Sequence, residues 1–436
     1  MFTIDDYSWL DSPESQMHWQ SISRDPSVPA SAILKRLRQS LTIPQASLLL
    51  EQYELLTASR KKVANPGDWF WTRQLLEQSS DEATASETAM DFPAGASVND
   101  ICCGAGADSI AMAKRGLHVH ASDRSSIACY LTRRNALSQK LKMEVTEESA
   151  EQCEIDQSGY VHIDPDRRSD GRRFSNLESL SPAWQTLCKI SENCLGMSLK
   201  LAPGTRLDSS TKKDQLNRPP ESIRFLSKEG SVRQQRWYWG IDRWPRNSIT
   251  LSLYLNEPAF QRAVLFHSKK LATNNNDPGK HRGWFHESFL ESEWQVKRAS
   301  DSVVVNSLHR YIADYDPSVR AAEISPQFAY RYGWQLLSSD SGYITSNDRK
   351  VHPMVRWFQV IENLPLDRKQ LKAFAKSVKT RTWELKSRGI DLDLDAVRKV
   401  LPTDRSSTTQ TTILFTKIGE QHRAIVCKEV DCLTEA

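Results

Sequence analysis

The residues best suited to chemistry lie in three short blocks: Asp100-Ile-Cys-Cys-Gly-Ala-Gly-Ala-Asp108, Ser122-Asp123, and His162-Ile-Asp-Pro-Asp-Arg-Arg168. In the first, the apolar run Val98-Asn-Asp-Ile101 gives way to Cys102, Gly104 and Gly106, and then to a helical pattern. A strand that turns sharply into a helix needs residues tolerant of unusual backbone angles, and glycine also lets a ligand approach the main chain. Such a turn serves NAD as readily as other ligands, so two glycines alone do not choose. The spacing is Gly-x-Gly followed by Ala107 and Asp108, not Gly-x-Gly-x-x-Gly, and an acid, Asp100, closes the strand. A dinucleotide needs an open helix N-terminus for its pyrophosphate, whereas the amino group of S-adenosylmethionine suits an acid beside the glycines. The block therefore favours S-adenosylmethionine, held by Asp100, Cys102, Gly104, Gly106 and Asp108. A tight turn with no ligand is the plain alternative.

Asp123 ends the next apolar run, where an acid accepts hydrogen bonds from both hydroxyls of a ribose; the competing reading is a helix cap ahead of Arg124-Ser-Ser-Ile127. Asp164 and Pro165 stand at the carboxyl end of a strand in the middle of the same unit, where open α/β sheets bind ligands. Proline stops the strand and stiffens the turn. Asp164 and Pro165 are the catalytic candidates, with Asp164 orienting a nucleophile first and deprotonating it second. Arg167 and Arg168 follow as forks suited to phosphate or carboxylate on an acceptor; a solvated charged turn is the alternative.

A further basic run comprises Arg368, Lys369, Lys372, Lys376, Lys379, Arg381, Lys386 and Arg388, opposed by Glu384 and interrupted by Trp383. Lysines about four apart on a helix make a surface that neutralises phosphates. Lys372, Lys376 and Lys379 are the candidate contacts, set against a merely solvated helix face. The aromatic groups Trp69-Phe-Trp71 and Trp237-Tyr-Trp239 read as packing rather than as a lid or a base-stacking platform.

Around these blocks the chain has 436 residues, 39% of them hydrophobic and 26% charged, with a net charge of +4. That length predicts two or three domains. No apolar run is long enough to span a membrane, and the acidic start, Met1-Phe-Thr-Ile-Asp-Asp-Tyr7, does not resemble a secretory signal, which points to the cytoplasm. The eight cysteines form no Cys-x-x-Cys and have no histidine pair nearby, so neither zinc nor an iron–sulfur cluster is expected; buried reduced thiols are.

Residues 1–90 read as an N-terminal helical region. Pro44 opens one helix, Asp68 is a plausible cap for a second through Trp69–Leu76, and Ser79–Thr88 looks like a linker or capping segment. Residues 91–270 alternate short apolar runs with helical patterns, the signature of a doubly wound α/β sheet. Its strands are expected at Val98–Ile101, Leu117–Ala121, Lys142–Val145, Tyr160–Ile163 and Gly196–Leu201. A hairpin turning at Glu229-Gly230 and a strand at Ser248–Tyr254 follow. Residues 256–300 are polar and irregular, and 300–436 read as a small α+β domain.

In these blocks, together with Leu199-Lys-Leu-Ala-Pro-Gly204, Phe358-Gln-Val-Ile-Glu-Asn-Leu-Pro-Leu366 and Trp383-Glu-Leu-Lys-Ser-Arg-Gly389, the sequence resembles class I S-adenosylmethionine-dependent methyltransferases of the bacterial group with a C-terminal THUMP-like domain. The resemblance runs from about residue 40 onward and is loose over 256–300. It implies a Rossmann-like methyltransferase sheet with a THUMP-like α+β domain. Asp100, Gly104 and Gly106 would then wrap the methionine and ribose of the donor, Asp123 the ribose, and Glu147 or Glu148 would lie near the adenine. Asp164-Pro165 stands where amino-group methyltransferases carry Asp/Asn-Pro-Pro-aromatic, but Asp166 and Arg167 replace the proline and the aromatic. The THUMP-like likeness implies RNA, tRNA or rRNA, as the partner. The other readings are a methyltransferase of a small molecule or protein, a non-catalytic RNA-binding protein that keeps the fold, and, more distantly, a nicotinamide oxidoreductase.

Overall fold

The computed structural model describes residues 2–23, 28–166, 168–169, 172–173, 177–205, 219–255, 283–294, 303–338 and 341–430. The chain divides into two units, Met1–Glu221 with Arg236–Trp244, and Ser222–Gln235 with Pro245–Ala436.

The first unit opens with helices α1 (Ile4–Trp9), α2 (Pro13–Ser23), α3 (Ala30–Leu37) and α4 (Ile43–Ser59). Thr42 caps α4 in a reciprocal box with Gln45, which fixes where the helix begins. Trp69-Phe-Trp71 is extended rather than helical. The expected cap at Asp68 is replaced by Thr72, whose hydroxyl accepts from the Leu75 N–H at the start of α5 (Arg73–Gln78). Buried amides hold this aromatic segment. Gln52 bonds both the N–H and the C=O of Trp71, and Asn135 does the same for Phe70 while also donating to the Ala105 carbonyl. The two indoles stack with centroids 4.9 Å apart. The aromatic group therefore packs, as expected, and pins the glycine turn from behind.

Ser79–Thr88 is not a linker. Asp81 caps α6 (Glu82–Ala89), and Thr84, Ala85, Glu87, Thr88 and Ala89 are buried. Its short polar and small side chains hide a helix because their buried face is made of alanine and threonine rather than large apolar residues.

The sheet of this unit is parallel, in the order β7 (Gly196–Leu201), β4 (Tyr160–Ile163), β1 (Ser97–Ile101), β2 (His118–Asp123), β3 (Glu144–Glu147). Helices α7 (Ala107–Lys114) and α8 (Ser126–Ser138) connect β1 to β2 and β2 to β3, and α9 (Trp184–Glu192) precedes β7. The chain runs outward from β1 to β3 and then returns to β4 on the other side, so the connections diverge between β1 and β4, where ligands enter such sheets.

The segment ahead of β1 is anchored by charge. Asp91 is buried and accepts from Arg236 Nη1 at 2.7 Å, the Tyr238 hydroxyl at 3.1 Å and Trp244 Nε1 at 3.2 Å. Arg115 donates to the carbonyls of Ala89 and Phe92. Burial works against the Arg236 charge, but Asp91 outweighs it and the guanidinium stays ionised.

In the second unit β8 (Ser222–Lys228) pairs in parallel with β10 (Ser248–Tyr254), and β10 pairs antiparallel with β11 (Trp284–Leu290). A hairpin turn at Glu229-Gly230, both with positive φ, leads from β8 into β9 (Ser231–Trp239), as the sequence indicates. Strand β11 lies within the region expected to be irregular; residues 256–282 and 295–300 of that region lie outside the described residues. His286-Glu-Ser288 breaks any apolar alternation in β11, and those side chains find their partners only in the fold: Ser252, the Arg331–Tyr332 pair and Thr250.

Residues 304–429 form a further sheet of Val304–Val305, Gln335–Leu337, Tyr343–Ser346, Tyr311–Tyr315, Val355–Pro365, Gln421–Glu429, Gln410–Ile418 and Thr382–Ser387, in that spatial order. Phe225, Leu251 and Phe289 share a core with Phe328, Trp334 and Trp357.

Cys129, Cys194 and Cys427 are buried, while Cys102, Cys103, Cys153 and Cys188 are half-buried, against the expectation of uniformly buried thiols. Cys432 lies outside the described residues. No described helix is long and apolar enough to cross a membrane.

Removing one partner of a buried ion pair strands the other charge. Asp91→Ala is expected to cost about 3–5 kcal/mol, read as a lower urea midpoint at unchanged slope.

Candidate donor site

Strand register decides which residues meet at the carboxyl edge of the sheet. Ile101 pairs with Ser122 on one side and Ile163 on the other, Asp123 pairs with Glu147, and Ile163 with Leu199. At the level one step beyond Ser122, Ile101, Ile163 and Leu199 the order across the edge is Glu147, Asp123, Cys102, Asp164, Lys200, with Glu148 one residue further out. Two of the sequence blocks thus flank the third because β2 and β4 flank β1.

The turn after β1 uses left-handed backbone at alternate residues: Cys102 (φ 65°), Gly104 (φ 59°) and Gly106 (φ 85°). Cys102 is the exceptional member, since a side chain makes that conformation costly, about 1–2 kcal/mol. Gly106 begins α7, and a Cβ there would sit 2.9 Å from Thr132 Cγ2 on α8. Gly106 is thus required first for close helix packing. Thr132 also donates to the Gly104 carbonyl at 3.0 Å.

Asp123 closes the turn from the β2 side. Its Oδ2 accepts from the Gly104 N–H at 3.0 Å and its Oδ1 from the Ser125 N–H at 2.9 Å. Ser125, not Asp123, caps α8. A carboxylate offers about four lone-pair directions, so Asp123 retains acceptor capacity for a ligand. Glu148 is half-buried beside it, its N–H donating to the Asp123 carbonyl. On the β4 side the Asp164 N–H reaches the Ile101 carbonyl at 3.4 Å. Pro165 is buried, and Asp166 is held by the Gln78 amide at 3.3 Å and by a bridge to Ser181.

Asp100 and Asp108 depart from expectation. They are 1% and 8% exposed, so their carboxylates support the turn from inside rather than line its open side. Ser109 donates a short hydrogen bond to Asp100, whose carboxyl is pushed well above its usual range by burial and then by Asp108. Turned into the core and engaged by Ser109, this carboxyl does not face the open side of the turn, where the sequence reading put it against the donor's amino group. Asp108 behaves in the opposite way. Burial works against its charge, but Lys200 and His162 outweigh it and hold the carboxyl at about 2.

Lys200 is the residue the sequence reading missed. Its ammonium donates to Asp164 Oδ2 at 2.5 Å and to Ser80 Oγ at 2.9 Å, and lies 3.6 Å from Asp108 Oδ2. Ser80 in turn donates to Asp108 at 2.9 Å. Burial opposes the lysine charge; Asp164 and Asp108 restore it. The available signal was a lysine inside a strand whose six residues are all buried, Gly196-Met-Ser-Leu-Lys-Leu201. His162 lies fully buried 3.9 Å from Asp108, its pKa lowered by burial.

The Cys102 thiol is pushed well above its ordinary value by burial and by Asp123, Asp164 and Asp100, so it is no thiolate nucleophile. Among the described residues no group of three or more His, Cys, Asp or Glu is placed to hold a metal. The rim of Glu148, Asp123 and Asp164 is rich in acceptors and suits a ligand with hydroxyl donors and positive charge. Adenosylated methionine, a sulfonium with a ribose, has that chemistry.

Arg167 lies outside the described residues, and only the backbone of Arg168 is described, in a short hairpin of 168–169 with 172–173. In the second unit, Asp367 caps the helix Arg368–Ser377. Leu371 and Ala375 face its core, so Lys372 and Lys376, one position on, are exposed, as is Lys379. Lys386 and Arg388 leave the expected basic surface. Both pair with Asp314, Lys386 at 2.6 Å. Trp383 is buried and donates to the Pro402 carbonyl.

Residues 96–162 match the family model described as RNA cap guanine-N2 methyltransferase, and residues 355–429 the model described as THUMP domain-like. A crystal structure from Porphyromonas gingivalis W83, solved as a "putative methyltransferase", superposes with a TM-score of 0.69 at 17% identity, covering 97% of this chain and 99% of that one. The fold is that of a class I S-adenosylmethionine-dependent methyltransferase with a THUMP-like C-terminal domain. Two uncharacterized S-adenosylmethionine-dependent methyltransferases of Mycobacterium tuberculosis, from strains CDC 1551 and H37Rv, are each 24% identical to this methyltransferase over 360 residues, 80% of this chain and 85% of theirs.

Gly106→Ala places a side chain in left-handed backbone and against Thr132. It is expected to loosen the turn and weaken S-adenosylhomocysteine binding about tenfold, or ~1.4 kcal/mol, by calorimetry on a sample whose circular dichroism is native.

Proposed function

We propose that this methyltransferase transfers the methyl group of S-adenosylmethionine to an RNA acceptor, tRNA or rRNA, in the cytoplasm. The observation that carries the donor side is the row Asp123, Cys102, Asp164, with Glu148 just beyond Asp123, at the point where the strand order reverses. Bound there, S-adenosylmethionine supplies an electrophilic methyl group. Asp123 holds the ribose through the acceptor capacity left after Gly104 and Ser125, and Glu148 lies towards the adenine. Cys102, Gly104 and Gly106 let the main chain approach the ligand, with Asp100 and Asp108 bracing them from within. Asp164 faces the transfer as an acceptor locked by Lys200. It orients a hydrogen-bearing nucleophile, and Pro165 stiffens its turn. Orientation of this kind supplies much of the rate when the electrophile is already activated.

The RNA side rests on the THUMP domain-like match and on the exposed lysines Lys372, Lys376 and Lys379 within it. Arg167 and Arg168 would meet acceptor phosphates near the transfer. A protein or small-molecule acceptor is the competing outcome.

The test is tritium transfer from labelled donor into total bacterial tRNA, rRNA and protein. Label is expected in RNA, reduced about a hundredfold in Asp164→Ala; label in protein and never in RNA would remove the substrate assignment.

Charge reversal at Lys372, Lys376 and Lys379 together should weaken RNA binding at least about tenfold and flatten its salt dependence. Donor affinity should stay as in wild type. Lost donor affinity would mark these lysines as structural.

A further inference from the structure

The donor site is read above as a rim of acceptors, but its charge is set from below. Asp164 stands at the open edge with its side chain a quarter exposed, and its Oδ2 receives the Lys200 ammonium at 2.5 Å. Lys200 is itself shut away, with 6% of its side chain exposed. Its other neighbours are Ser80 at 2.9 Å and Asp108 at 3.6 Å. Of the remaining charged groups near this cluster, Arg236 is matched by Asp91, and the neighbouring Asp100 accepts from Ser109. One buried cation therefore faces two carboxylates, Asp108 within and Asp164 at the rim.

Methyl transfer changes the ligand's charge at one atom. The sulfonium of S-adenosylmethionine is a cation, whereas the sulfur of S-adenosylhomocysteine is a neutral thioether, and the two ligands are otherwise nearly the same. A charge fixed in a low-dielectric site acts on that difference and leaves the shared contacts alone. We propose that Lys200, through its ion pair with Asp164, sets the charge of the donor cleft and so determines how strongly the site prefers the sulfonium donor over the thioether product. The inference rests on the reading of this cleft as the donor site. Lys200 is a positioning residue, since it is buried and acts through Asp164. By neutralising one carboxylate it keeps the cleft from holding the cation too tightly, and product and donor then exchange at comparable affinity.

The effect has a sign that loss of structure does not imitate. Disruption of the fold weakens both ligands alike, but a charge change moves their ratio. Calorimetry of the full chain with S-adenosylmethionine and with S-adenosylhomocysteine reads it directly, for wild type, Lys200→Met, Lys200→Arg and Asp164→Asn. In Lys200→Met the cleft gains net negative charge, and the ratio of donor to product affinity should rise about fivefold or more. In Asp164→Asn the lysine loses its partner, and the ratio should fall by a similar factor. Lys200→Arg keeps the charge and should keep the ratio within about twofold. If Lys200→Met does not fold, Lys200→Gln takes its place with the same expected rise. An unchanged ratio in the folded variants, or a shift of the same sign in Lys200→Met and Asp164→Asn, overturns the inference. Wild type binding neither ligand would instead overturn the donor reading, and this inference with it.

Discussion

A single buried ammonium group holds the working edge of the first unit together. Lys200 joins β7, β4 through Asp164, α7 through Asp108, and the connection ahead of α6 through Ser80. Desolvating an ion is expensive, and it is offset here by hydrogen bonds to Asp164 and Ser80 and by the Asp108 carboxylate at 3.6 Å. The same arrangement pulls the two neighbouring carboxyls apart: Lys200 and His162 lower Asp108, whereas burial and Asp108 itself raise Asp100 on β1.

Other polar contacts do similar work at a distance from ligand chemistry. Gln52 and Asn135 complete the main-chain hydrogen bonding of an extended aromatic segment that has no strand beside it. Asn135 also reaches the Ala105 carbonyl, so the N-terminal helices, α8 and the glycine turn are mechanically one body. Asp91, Arg236, Tyr238 and Trp244 tie the entry to β1 to the end of this unit's chain. The parallel sheet thereby carries at its centre a turn held by hydrogen bonds with Asp123, Thr132 and Asn135.

The second unit shows how far a run of like charges is from a binding surface. Of the basic residues between 368 and 388, two are consumed by Asp314, and the tryptophan among them is core. What remains is one helix face and the residues just after it, outward because Leu371 and Ala375 turn inward.

The local signals in the sequence were sufficient for the alternation of strands and helices from β1 to β7, for the glycine turn and for the acids at the tips of β2 and β4. Each depends on a few consecutive residues whose backbone preferences are their own. They were insufficient for α6, whose buried face is too small to register as apolar, and for β11, whose polar residues are paid for by distant partners. They also misplaced Asp100 and Asp108, because an acid beside glycines looks the same in sequence whether it faces a ligand or the core. Lys200 was on the page as a lysine in a buried strand, yet its role follows from a pairing. Ile163 lies opposite Leu199, so Asp164 and Lys200, 36 residues apart, become neighbours. The sequence by itself determined which side chains were available and the local turns that carry them. Only the tertiary structure decided which carboxylates stand at the open edge and which are buried beside Lys200, because that depends on strand register and burial, which are properties of the assembled sheet.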